Sequence, residues 1–293
     1  MIIFIDPLEQ PVYMVEIANL SFVFVAGLVT ALATGLGAIP FFFISDVGDR
    51  WNVTLWGVAS GIMVSASVFG LVLEAFGSYV TLSLSGLTVE RIPLRLVGLL
   101  AVGLLTGVVL VVVSHEIIEE YEVSPKRYEE ADVKKLLLIL GILTVHSFPE
   151  GVAVGVAFAD LGFSGPTLFG FVVPVLGVFM TIAISIHNIP EGLAISIPLR
   201  AMGISEWRMV WWAIFSSLPQ PIGAVIAFYF VRIAREFLPF GFGFAAGAMI
   251  YLVLTEFIPE ALELGEGLPG GGKRELLGGL TAGFAVMVPL AFL

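Results

Sequence analysis

Two octapeptides in this chain carry residues able to do chemistry: "HSFPEGVA" at 146–153 and "HNIPEGLA" at 187–194. Residues four apart stand one above the other on a helix, so His146 shares a face with Glu150, and His187 with Glu191. Each stretch therefore offers an imidazole nitrogen and a carboxylate to one point. Asn188 adds an oxygen ligand beside the second pair, and Ser147 a weaker one beside the first. Two neutral imidazoles and two carboxylates suit Zn²⁺ or a similar first-row ion, at ligand distances of about 2.0–2.2 Å. A proline inside a helix has no N–H for the carbonyl four residues back, so Pro149 and Pro190 leave the carbonyls of Val145 and Ile186 without their usual donor.

The elements that must hold these groups are set by the surrounding composition. Of 293 residues, 58% are hydrophobic and 13% charged, with a mean hydropathy of +1.05. That composition belongs to an integral membrane protein. Eight apolar stretches are long enough to cross hydrocarbon as helix: 17–43, 53–76, 92–114, 136–159, 168–199, 209–231, 239–261 and 276–293. Little chain remains outside them, which predicts a single transmembrane domain over 1–293, multi-pass in a cell membrane. The opening "MIIFIDPLEQP" has no basic segment and carries Asp6 and Glu9, which argues against a cleavable signal peptide. There is no cysteine, so disulfides and thiolate metal sites are excluded.

Burial in the bilayer decides what the octapeptides are for. A carboxylate at the bilayer centre costs at least about 2.5–3.5 kcal/mol on insertion scales. No Lys or Arg on the fourth or fifth stretch lies within two turns of Glu150 or Glu191 to offset that cost. One divalent cation would neutralise both.

Arg50, Lys126, Arg127, Lys134, Lys135, Arg200, Arg208, Lys273 and Arg274 fall in one set of alternate loops; Arg91, Arg95, Arg232 and Arg235 fall in the other. Basic residues are retained in the cytoplasm, so the first set is cytoplasmic, both termini lie outside, and 115–135 is a cytoplasmic loop. The net charge of −11 is no sign of a nucleic-acid partner, none being expected, and suits acidic mouths that attract cations. At a shift of 186 residues "GAIPFFF" (37–43) meets "GAVIAFY" (223–229), and "GVASGIM" (57–63) meets "GFAAGAM" (243–249). Partners five spans apart must be inverted in the membrane. At a shift of 41, His146, Pro149, Glu150 and Gly151 meet His187, Pro190, Glu191 and Gly192. The expected fold is all-α, with eight transmembrane helices in a 3+2+3 arrangement of inverted repeats. Thr34, the repeat partner of Gln220, is expected to line the same cavity.

These motifs, with "TALATGLGAIPFFF" at 30–43, "SSLPQPIGA" at 216–224 and "GFAAGAMIYLVLTEFIPEA" at 243–261, resemble the ZIP family of divalent metal transporters over all eight stretches. The resemblance implies uptake of Zn²⁺, or of Fe²⁺, Mn²⁺ or Cd²⁺, toward the cytoplasm, with the metal as substrate and no prosthetic group. It implies a primary site at His146, Glu150, His187 and Glu191, with Met63 a soft neighbour. It implies a second site lined by Ser147, Glu150, Asn188, Glu191 and Gln220. Glu256 in "LTEFIPEA" matches a polar position on the release pathway. Many relatives carry asparagine at the place of Ser147 and glutamate at that of Gln220, so one strong site and a weakened second are expected. Members of the family are often dimers, and the mechanism proposed for them moves spans one, four, five and six against the others. Two other readings compete. An intramembrane metallohydrolase would need H-E-x-x-H, whereas the chain's "HE" at 115–116 is followed by "IIE". A proton-coupled carrier of an organic solute would use the same carboxylates as relays.

Overall fold

The computed structural model describes residues 12–44, 47–77, 79–83, 86–89, 91–120, 144, 146–168 and 170–287. In hydrocarbon no water satisfies the peptide groups, so an apolar stretch must close its own hydrogen bonds, and helix does so. The helices are α1 (Val12–Thr34), α2 (Asp49–Ser65), α3 (Leu94–Glu120), α4 (146–157), α5 (Val175–Ala201), α6 (Glu206–Ser216), α7 (Pro219–Ile233), α8 (Leu238–Leu252), α9 (Ile258–Leu264) and α10 (Lys273–Met287). Six stretches among the described residues are long and apolar enough to cross a membrane: Ile17–Phe42, Asp49–Ala75, Leu94–Ile117, Val175–Ile197, Glu206–Ile233 and Arg235–Leu264. Of the other two expected stretches, most of 136–145 and all of 288–293 lie outside the described residues, as does most of the 115–135 loop.

Several boundaries differ from the sequence reading. The stretch expected to be helical from 168 becomes helix only at Val175, because a hairpin of Thr167–Leu168 with Phe171–Val172 precedes it. Gly170 turns that hairpin at φ +84°, a conformation that favours glycine. A second hairpin pairs Val80–Ser83 with Gly86–Val89, so the connections of this helical protein include two short β-ribbons. The 209–231 stretch is two helices, parted at Ser217–Leu218, because Pro219 starts α7 where its missing N–H has no partner to lose. α3 runs on to Glu120, which places His115 on a helix rather than at the mouth of a loop.

Three helices change pitch. α1 tightens into a 3₁₀ segment over Gly35–Phe42, α2 widens into a π segment over Ala66–Val72, and α8 does the same over Val253–Phe257. The two π segments coincide under the 186-residue shift found in the sequence.

Lipid gives helices no hydrophobic reason to associate, so close van der Waals contact between small residues must hold them. Gly57 and Gly61 on α2 meet Gly279 and Gly283 on α10 in this way. A Cβ at Gly61 would lie 2.2 Å from the Leu280 carbonyl oxygen, and one at Gly279 2.2 Å from that of Thr54. Gly103 and Gly107 on α3 meet Gly243 and Gly247 on α8 with the same spacing, and a Cβ at Gly107 would lie 2.1 Å from the Phe244 oxygen. The opposite side of α3 presents Val102, Leu105, Val109 and Val113 outward, an apolar stripe suited to lipid. α1 packs on α5 and α7, while Gly151 and Gly155 of α4 press on the start of α7.

Candidate metal centre

Glu150 on α4 and His187 and Glu191 on α5 each bring one ligand atom within 4.8 Å of the others, all three side chains being buried. His187 Nε2 lies 3.2 Å from Glu150 Oε1. Glu191 accepts no hydrogen bond at either carboxylate oxygen, and no Lys or Arg among the described residues pairs with either glutamate. A buried carboxylate without a donor is costly unless a cation balances it. His187 Nδ1, His146 Nδ1 and Asn188 Oδ1 are likewise buried and unpartnered. Unpartnered polar atoms thus lie at the point where Glu150, His187 and Glu191 converge, which suits a divalent cation.

Backbone contact explains how the two helices reach this point. The glycine after each glutamate lets a neighbouring chain approach: a Cβ at Gly192 would lie 1.8 Å from the Thr34 carbonyl oxygen, and one at Gly151 2.2 Å from that of Gln220. Thr34 and Gln220 are the pair related by the 186-residue shift, so each half of the motif rests on the equivalent residue of its own neighbour. The 3₁₀ segment contributes in the same way, since a Cβ at Gly37 would lie 2.3 Å from the Ile189 carbonyl oxygen. α5 continues as helix through Pro190, with Phe257 stacked on the His187 ring at a centroid distance of 5.3 Å.

The remaining expected residues have surroundings of their own. His146 is buried but turns to a different partner, its Nε2 standing 2.9 Å from His115 Nε2. The far nitrogen of His115, Nδ1, lies 3.4 Å from Glu256 Oε1, so His146, His115 and Glu256 form a second line of ligands. Sequence spacing gave no sign of His115, because 31 residues separate it from His146. Gln220 and Asn188 are buried and hydrogen-bonded to each other, Asn188 Nδ2 donating to Gln220 Oε1 at 3.1 Å. Thr34 lines the neighbouring helix contact, where its Oγ1 lies 2.7 Å from Ser217 Oγ. Met63 is fully buried and lines a small void with His187 and Met249, its own partner under the 186-residue shift. Ser147 is fully buried on α4 beside His146.

A family model described as "ZIP Zinc transporter" matches residues 114–291. The zinc transporter GufA of Myxococcus xanthus is 34% identical over 269 residues, covering 91% of this chain and 96% of that protein. The zinc transporter ZIPB of Bordetella bronchiseptica is 32% identical over 265 residues, covering 87% and 76%. A putative zinc transporter of Arabidopsis thaliana is 39% identical over 242 residues, 80% of this chain, which spans only 34% of that longer relative.

Proposed function

Since the chain belongs to the ZIP zinc transporter family, a family of transporters rather than enzymes, we propose that it carries Zn²⁺ or a related divalent ion across a membrane toward the cytoplasm through Glu150, His187 and Glu191. The observation that carries this reading is Glu191, a buried carboxylate that no protein donor serves, set against a second carboxylate and an imidazole. Metal binding needs the imidazole neutral and the acids ionised, and these are the forms that a cation then stabilises.

His146, His115 and Glu256 extend the site as a release route. An ion leaving Glu150 and Glu191 would pass to His146 and then to the His115–Glu256 pair at the half-buried end of α3. Ser147 and Asn188 supply oxygen atoms beside the transport site, and Met63 a soft thioether sulfur. Fe²⁺, Mn²⁺ and Cd²⁺ share the ligand preferences that Zn²⁺ meets here.

The architecture we infer is the 3+2+3 arrangement of eight spans, with both termini outside and the inverted repeats meeting at α4 and α5. The alternation of basic loops, the coinciding π segments and the matched supports at Thr34 and Gln220 all favour it. α2 with α10 and α3 with α8, each pair held by facing glycines, suit a fixed frame. α1, α4, α5, α6 and α7 suit a unit that moves against that frame. A homodimer accords with the family, and the exposed stripe of α3 is available either to lipid or to a second copy.

Uptake of zinc into proteoliposomes by wild type and by Glu191→Ala tests the reading. Loss of most uptake in the variant is expected, and equal uptake by the two proteins contradicts it.

A further inference from the structure

A histidine that binds a metal is ordinarily aimed by its other ring nitrogen, which donates to a carboxylate, a carbonyl or a water. His187 lacks that support. Its Nε2 stands 3.2 Å from Glu150 Oε1, and its Nδ1 is buried without a hydrogen-bond partner among the described residues. The last bond of a histidine side chain has broad rotational preferences, so something other than a hydrogen bond must hold the ring. What meets it is another ring. Phe257 lies nearly parallel to the imidazole, with 19° between the planes and 5.3 Å between the centroids. Phe257 is held in turn by Trp56 on α2, which meets it edge-on at 4.7 Å and 69°. All three side chains are buried.

Resting on the transport reading above, we propose that Phe257 is a positioning residue for His187, doing with a flat apolar face what a hydrogen bond to Nδ1 does at other histidine ligands. In a close-packed interior, turning the imidazole out of the stack would drive its edge into the phenyl ring, so the stack resists rotation. Nε2 thereby stays toward Glu150, where Glu191 also converges. The helix itself explains how Phe257 comes to be there: it closes the π segment Val253–Phe257, and Glu256, one residue earlier, stands 3.4 Å from His115 Nδ1. Adjacent residues of one π segment thus reach both lines of ligands. An apolar platform also suits a carrier. A hydrogen bond at Nδ1 would make the imidazole a more basic ligand, whereas a stacked ring aims it without strengthening its hold. His187 is therefore oriented to take an ion and left able to release it.

Calorimetry of zinc binding, together with magnetic resonance of the histidine rings in the full chain in detergent micelles, tests this. The chain has three histidines, so the ring signals of His187 can be assigned by substitution. Phe257→Leu and Phe257→Ile each keep an apolar side chain but no flat face. Either should weaken zinc binding about 10–100-fold, as loss of a partner that orients a histidine ligand does. In the zinc-free protein either should broaden or double the His187 ring signals, which are expected to be single and narrow in wild type. Phe228→Leu is the control for lost packing, since Phe228 is fully buried under Arg232 toward the end of α7. It should lower the melting temperature while leaving zinc affinity and the His187 signals as they are. Unchanged affinity in the Phe257 variants, weakened affinity with His187 signals as narrow as in wild type, or the same loss in Phe228→Leu would each overturn the inference and leave the transport reading standing. Absence of zinc binding by wild type would overturn both.

Discussion

The division of labour between the two histidines distinguishes this site from four equivalent ligands. His187 faces Glu150 and Glu191, while His146 has turned to His115. The two lie at matching places in the repeated octapeptide, so the sequence made them look interchangeable. What separates them is the neighbouring helix: α3 brings an imidazole to one, and Phe257 covers the face of the other. On the proposed release route an ion would leave Glu150 and Glu191 by way of His146 for His115 and Glu256. Replacing His115 with alanine should lower the maximal rate of zinc uptake severalfold while leaving equilibrium zinc affinity unchanged. A parallel loss of affinity, or a rate equal to wild type, would remove His115 from the route. The glutamates and His187 were legible in the sequence because they share one short motif. The sequence marks His115 only as a histidine at the head of the acidic loop that could accept a leaving metal; its pairing with His146 was not legible, because i, i+4 spacing reports only what one helix can bring together.

At the scale of elements, the site exists because backbones touch. The glycines of the two "PEG" triplets set α5 against α1 and α4 against α7 with no side chain between them. Gly192→Ala would drive a methyl group into the Thr34 carbonyl, and overpacking of this kind costs typically about 1–3 kcal/mol. The expected outcome is a lower melting temperature together with weaker zinc binding, because α5 carries two of the three converging ligands. Gly278, on the same helix as Gly279 but with open space around its Cβ position, is the control: Gly278→Ala should change neither quantity. Equal effects of the two substitutions would show that helix propensity, and not the close approach, is responsible. Element existence was readable from the apolar stretches; their pitch was not. The turn to 3₁₀ after Thr34 and the two π segments leave no mark in the apolar pattern, which runs through them unchanged. The start of α5 was misplaced for a related reason, as Thr167–Leu168 and Phe171–Val172 form a ribbon that hydropathy alone cannot tell from helix.

For the molecule as a whole, the repeat is the feature that unites sequence and structure. A shift of 186 residues pairs 37–43 with 223–229 and 57–63 with 243–249, and it also joins the π segments, the supports of the two octapeptides and the buried pair Met63 and Met249. Two related halves facing opposite ways would present one central site alternately to either side, which is the simplest physical use of such symmetry in a transporter. The account therefore stands on a doubly charged ion being held between α4 and α5. Crystals of the full chain soaked in Zn²⁺ or Cd²⁺ and measured for anomalous scattering would locate it directly. A peak within bonding distance of Glu150, His187 and Glu191 is predicted; those three side chains bonded only to one another or to other protein groups, with no anomalous peak among them, would contradict it.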